Sequence, residues 1–200
     1  MLNVVFAIAW AARALLPSDM RKFSLPLLLT TLLAAGVLSA CSPKYDWRDY
    51  RSSDAPYAVL FPGKPASQTR TITLNGQEVS MTMTAAEVDG VSFAVGSAKL
   101  ADAAMAQAAL AAMKTALVNN IGAALVSDKT TTTSSGTGSP AGQQTMVEVE
   151  AKGAQNGETM LLIGHFIAKD SRIYQVIIMG REKHVVRDTV DTFMSSFKLN

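Results

Sequence analysis

One cysteine and two histidines among 200 residues leave little room for several kinds of chemistry. A single thiol forms no disulfide within the chain, so the fold must rest on its core alone. Zinc needs three or four ligands, and neither His165 nor His184 stands in an HxH, HExxH or CxxC spacing. Gly136-Thr137-Gly138-Ser139-Pro140 lacks the Gly-x-Ser-x-Gly elbow of a serine hydrolase, and no Gly-Lys-Ser/Thr follows to make a phosphate loop. The segment reads as a flexible surface turn. After residue 52 no Lys/Arg cluster is interleaved with aromatics, so the sequence offers nucleic acid no recognition surface. There is no internal repeat.

What is present begins at the N-terminus. Met20-Arg21-Lys22 is a cationic start, and an apolar run extends from Phe23 to about Leu38. Small residues then close the run, and this order is the plan of a secretory signal. The stretch Leu38-Ser39-Ala40-Cys41 resembles the lipobox of bacterial lipoproteins. That resemblance implies cleavage between Ala40 and Cys41, a diacylglycerol on the Cys41 thiol and acylation of the new amino group. It places the protein in the cell envelope, lipid-anchored and facing the periplasm. Ser42 follows the cysteine, and under the sorting rule of enteric bacteria the absence of Asp there favours the outer over the inner membrane. No cofactor is implied beyond the covalent lipid on Cys41.

Residues 1–19 fit this plan poorly. Met1 to Leu16 is apolar but interrupted by Arg13, and Pro17-Ser18-Asp19 ends it, short of the roughly 20 apolar residues a membrane-spanning helix needs. We expect translation to begin at Met20, with 1–19 a mis-assigned extension; the rival is an uncleaved, membrane-associated segment. Cleavage would also alter the charge. Residues 1–40 hold Arg13, Arg21, Lys22 and Asp19, so the 18 Lys+Arg and 16 Asp+Glu fall to 15 of each. The exported part is neutral, so the basic balance of the whole chain comes from the signal and is not an argument for nucleic acid or anionic lipid as a partner.

Residues 42–56 are polar and small, and 41–56 reads as a tether ahead of a single domain over 57–200. About 12 tether residues at 3.3–3.6 Å each would reach roughly 40 Å. Within the tether, Tyr45, Trp47 and Tyr50 are mixed with Lys44, Asp46, Arg48, Asp49 and Arg51. Such rings suit a headgroup region or a protein interface; alternatively they fold back over an exposed sheet edge. Lys64, in the Phe61-Pro62-Gly63-Lys64-Pro65 turn, is a further candidate contact, although turn lysines are usually only solvated.

The domain alternates turn signals with apolar patterns. Strands are predicted at Tyr57–Phe61, Arg70–Leu74, Glu78–Ala85, Val91–Ala98, Ala123–Lys129, Thr145–Ala151, Met160–Ala168 and Ile173–Met179, about eight in all. Asn75-Gly76, Asp89-Gly90 and Asn156-Gly157 mark tight turns, and Thr130 to Gln143 a loop or long hairpin connection. Val79, Met81, Met83 and Ala85 alternate with Glu78, Ser80, Thr82 and Thr84, as in a strand with one dry and one wet face. Glu148 and Glu150 likewise read as a wet outer face rather than an acid/base pair. The two nearly continuous apolar runs after Gly157 belong in the middle of the sheet. Met105, Ala109, Met113, Leu117 and Ile121 recur at helical spacing after Asp102, a potential N-cap, and before Gly122, a potential C-terminal stop. A second helix is expected from about Lys183 to Phe197, with Val186, Val190, Phe193 and Phe197 as its apolar stripe. Methionines 81, 83, 105 and 113 read as core filling.

This order implies an α+β fold, a mainly antiparallel sheet flanked by two helices. Tyr57-Ala58-Val59-Leu60-Phe61-Pro62-Gly63-Lys64-Pro65, the middle helix and the closing Phe193-x-x-Ser196-Phe197 resemble the PsbP-like α/β/α sandwich. That group includes photosystem II extrinsic subunits, a Ran-binding nuclear import factor and DcrB-type bacterial lipoproteins. The resemblance implies a binding or assembly factor, with an envelope protein as partner, and carries no catalytic residues. Two other readings stay open. One is a small-ligand binder with an apolar pocket between helix and sheet near Met113 and Phe93. The other is an enzyme using His165 with Glu148 or Glu158, against the plainer reading of His165 as a structural strand residue.

Overall fold

The structure is a computed structural model that describes residues 44–120, 122–134 and 142–200. Ala40, Cys41 and the rest of the signal lie outside them, as do Ile121 and the Gly136–Pro140 turn. The chain divides into Met1–Ser42 and a compact unit, Pro43–Asn200, with its own two-sided core.

The eight expected strands all form. They are β2 (Tyr57–Phe61), β3 (Ala66–Leu74), β4 (Gln77–Val88), β5 (Val91–Lys99), β6 (Ala124–Ser134), β7 (Gln143–Gln155), β8 (Glu158–Lys169) and β9 (Arg172–Arg181). Two more, β1 (Arg48–Arg51) and β10 (Lys198–Leu199), flank β2 in a separate three-stranded antiparallel sheet. Both are short and carry no apolar alternation, so only their pairing with β2 defines them. Part of the stretch read as a tether is therefore strand.

The other seven strands form an antiparallel sheet in the order β3-β4-β5-β9-β8-β7-β6. As their apolar runs require, β9 is central and β8 beside it. Asn75-Gly76, Asp89-Gly90 and Asn156-Gly157 all take positive φ at both positions, the type I′ geometry that matches strand twist. Thr130–Ser134, expected to begin a loop or long hairpin connection, continues β6 and pairs with Gln143–Val147 in a hairpin.

Helix α1 (Ala103–Asn120) covers one face of this sheet and α2 (Arg187–Ser196) the other. Asp102 Oδ1 accepts the Met105 N–H at 2.8 Å, the expected N-cap. At the far end Gly122, at φ 56°, and Ala123 donate back to Asn119 and Val118, closing a Schellman motif. The stripe is centred slightly off expectation: Ala106, Ala109, Leu110 and Met113 are buried, while Met105 and Leu117 flank them half-buried. Helix α2 begins at Arg187 rather than Lys183, because Glu182–His184 form a 3-10 turn and Val186 is its exposed N-cap. Val190 and Phe193 are buried as expected.

The two faces hold two cores. On the α1 side lie Leu162, Phe166, Ile173 and Met113; on the α2 side Tyr57, Phe61, Phe93, Val176, Ile178 and Phe193. Phe193 meets Phe61 and Phe93 with ring centroids 5.6 and 5.4 Å apart. Strand β4 departs from its expected wet face here. Thr84 is fully buried and Ala86 nearly so, because β2 covers that end of the strand. Tyr57 and Ser67 both bond the Thr84 hydroxyl, at 3.4 and 2.8 Å, and the Tyr50 hydroxyl closes on Ser67 at 3.3 Å. Burial pushes the Tyr57 phenol above its ordinary pKa.

Candidate functional site

A groove of about 530 Å³ lies between strands β7 and β8 and the C-terminal end of the second helix. Alternation aims Met146 from β7 and His165, Ile167 and Lys169 from β8 at this face. Met194 and Phe197, at the end of α2, form the opposite wall, and β10 contributes Lys198 and Leu199. The floor is thus apolar, with Gln144 and two lysines at the border. A smaller recess of about 180 Å³ shares Lys169 and Leu199 and adds Asp170, Ser171, Arg172 and Tyr174.

His165 stands at the inner part of the groove, directly opposite Glu148 in the β7–β8 register. Its Nε2 lies 3.7 Å from Glu148 Oε1, an electrostatic contact longer than a hydrogen bond. Burial holds the His165 pKa below the ordinary histidine value, while the Glu148 charge opposes that shift. Next along β7, Glu150 accepts two bonds from Arg187, at 3.1 and 2.8 Å, which ties α2 to the sheet and lowers the Glu150 pKa. Glu148 and Glu150 therefore lie half-buried beneath a second layer rather than on an open wet face. Glu158, the other carboxylate weighed for His165, accepts from Lys183 at 2.8 Å. Among the described residues no three His, Cys, Asp or Glu side chains gather as metal ligands. No helix among them is long and apolar enough to cross a membrane.

The candidate interaction residues from the sequence lie elsewhere. Lys44 pairs with Asp89 at 2.7 Å and lies 5.4 Å from the Tyr45 ring centroid, and this exposed pair raises the lysine pKa and lowers the aspartate pKa. Tyr45 stacks toward Trp47, and Trp47 packs on the α2-side core. Tyr50 meets Phe61 edge-on at 5.7 Å, so it folds back on the domain. Lys64 remains exposed after β2. Met113 and Phe93, expected to line one apolar pocket between helix and sheet, do not face each other. Both are buried, and they belong to the cores on opposite faces of the sheet. Sequence reasoning missed Lys169, Lys198, Met146 and Met194 as a group, because β10 and the end of α2 reach them only through the tertiary fold.

No family model matches the chain, and no curated protein matches it significantly. Among solved structures it is similar to a Pseudomonas aeruginosa protein of unknown function, at 13% identity over 68% of this chain and 84% of that one, with a TM-score of 0.30. So remote a likeness assigns no function.

Proposed function

We propose that the chain is a non-catalytic cell-envelope lipoprotein, begun at Met20, cut before Cys41 and held by its lipid on the periplasmic side of the outer membrane. In this reading the domain binds an envelope protein as an assembly or maintenance factor. The observation that carries it is Leu38-Ser39-Ala40-Cys41 directly after a cationic start and an apolar run. Several acyl chains on one residue make anchoring stable, where a single chain is marginal. An antiparallel sheet with a helix on each face is also the arrangement that the PsbP-like resemblance implies. Growing cells with radiolabelled palmitate tests the anchor. Label should enter the wild-type product and be lost, with membrane retention, in Cys41→Ser; equal labelling or equal retention of the two refutes it.

The groove favours a second reading, a lipoprotein that binds a small ligand. An apolar recess of several hundred Å³ with a few polar groups at its border is the usual form of such a site.

A further inference from the structure

We infer that the groove takes a single-chain anionic amphiphile, its head group between Lys169 and Lys198 and its chain along Met146, Ile167, Met194 and Phe197. This rests on the small-ligand reading and names its ligand class. The first support is charge. Lys169 and Lys198 form no ion pair among the described residues, although nine other pairs do form there. Asp170, beside Lys169, has its Oδ1 engaged by the Gly142 N–H at 3.1 Å. Glu148, behind His165 on the neighbouring strand, is paired with Lys129 at 3.5 Å and does not line the groove. An anionic head group is therefore attracted between the two lysines, while the recess beyond, lined by both Arg172 and Asp170, adds no net charge.

The second support is the lining. The walls between the border and His165 are apolar and include a methionine from each side, Met146 from the sheet and Met194 from the helix. Unbranched thioethers adapt to a flexible chain better than branched side chains do. Carboxylate and phosphate heads share this chemistry, so a fatty acid and a lysophospholipid are the two sources to separate.

The test uses the unit Pro43–Asn200, whose core is internal to it, freed of lipid and titrated calorimetrically below micelle-forming concentrations. The probes are oleate, lysophosphatidylglycerol, dodecanol and dodecyltrimethylammonium, with methionine methyl NMR locating the site. The inference expects oleate or lysophosphatidylglycerol to saturate at one equivalent, the tighter of them identifying the source, with Met146 and Met194 methyls shifting most. Lys169→Glu with Lys198→Glu, both on the accessible border, should weaken that binding about tenfold or more while the unfolding midpoint holds. Dodecanol or dodecyltrimethylammonium binding as well as the anions, or a double variant that binds them unchanged, overturns the anionic assignment but keeps a small-ligand groove. No saturable binding of any probe overturns both. Palmitate labelling at Cys41 is independent of all these outcomes.

Discussion

Glu148 and His165 face each other across neighbouring strands, 3.7 Å apart, and their effects on the imidazole proton oppose one another. Burial is the larger, so the folded protein holds His165 neutral at a pH where the unfolded chain would already be protonated. A depressed histidine pKa stabilises the fold fully above the ordinary value of 6.5. That contribution is lost as pH falls from there through the folded pKa. The urea midpoint of the wild type should therefore drop between neutral and mildly acidic pH, and His165→Gln should flatten that part of the profile. Glu148→Gln removes the opposing charge and should carry the wild-type drop to lower pH. An NMR titration placing the His165 pKa at or above 6.5 would refute this.

The Thr84 hydroxyl gives a second measurement. It is fully buried and bonded by Tyr57 and Ser67. Thr84→Val keeps the shape but strips a buried phenol of its partner, and should destabilise the protein by about 1–3 kcal/mol. Thr82, two residues away and half-buried, bonds Thr69 at 2.9 Å. Thr82→Val should change stability by only about 0.5 kcal/mol. Equal effects in chemical denaturation would mean the covering by β2 is not what matters.

Asp102 caps α1 through a single carboxylate-to-backbone bond. Asp102→Ala should lower the thermal midpoint by an amount equivalent to about 1 kcal/mol, and Asp102→Asn should recover most of it. A neutral Asp102→Ala would show that packing alone fixes where the helix begins.

The parts of the fold legible in sequence were those fixed by local physics. Asn75-Gly76, Asp89-Gly90 and Asn156-Gly157 tolerate positive φ and so announce their turns. Asp102 and Gly122 mark a helix because each satisfies an otherwise orphaned backbone group. Two of the failures share one cause, the second layer over the α2 face. Thr84 and Glu150 look like solvent-facing residues until Tyr57 and Arg187 cover them. The 3-10 turn at Glu182–His184 hides the true start of α2 for a local reason, since its residues suit a helix equally well. The groove was illegible for a non-local reason. It joins Met146 to Leu199 across more than 50 residues, and no periodicity in either segment refers to the other.

Only Ser42 and Pro43 separate Cys41 from Lys44, and Lys44 is clasped by Asp89. Chain length alone caps the reach of those three steps at about 10 Å, against roughly 40 Å for a tether of 12 free residues. Asp89 marks one end of the strands and Lys169 the other, about 25–30 Å away along β8 and β9. The lysine-edged opening therefore lies at the far end of the strands from the Lys44–Asp89 clasp, and the two can be engaged without crowding one another.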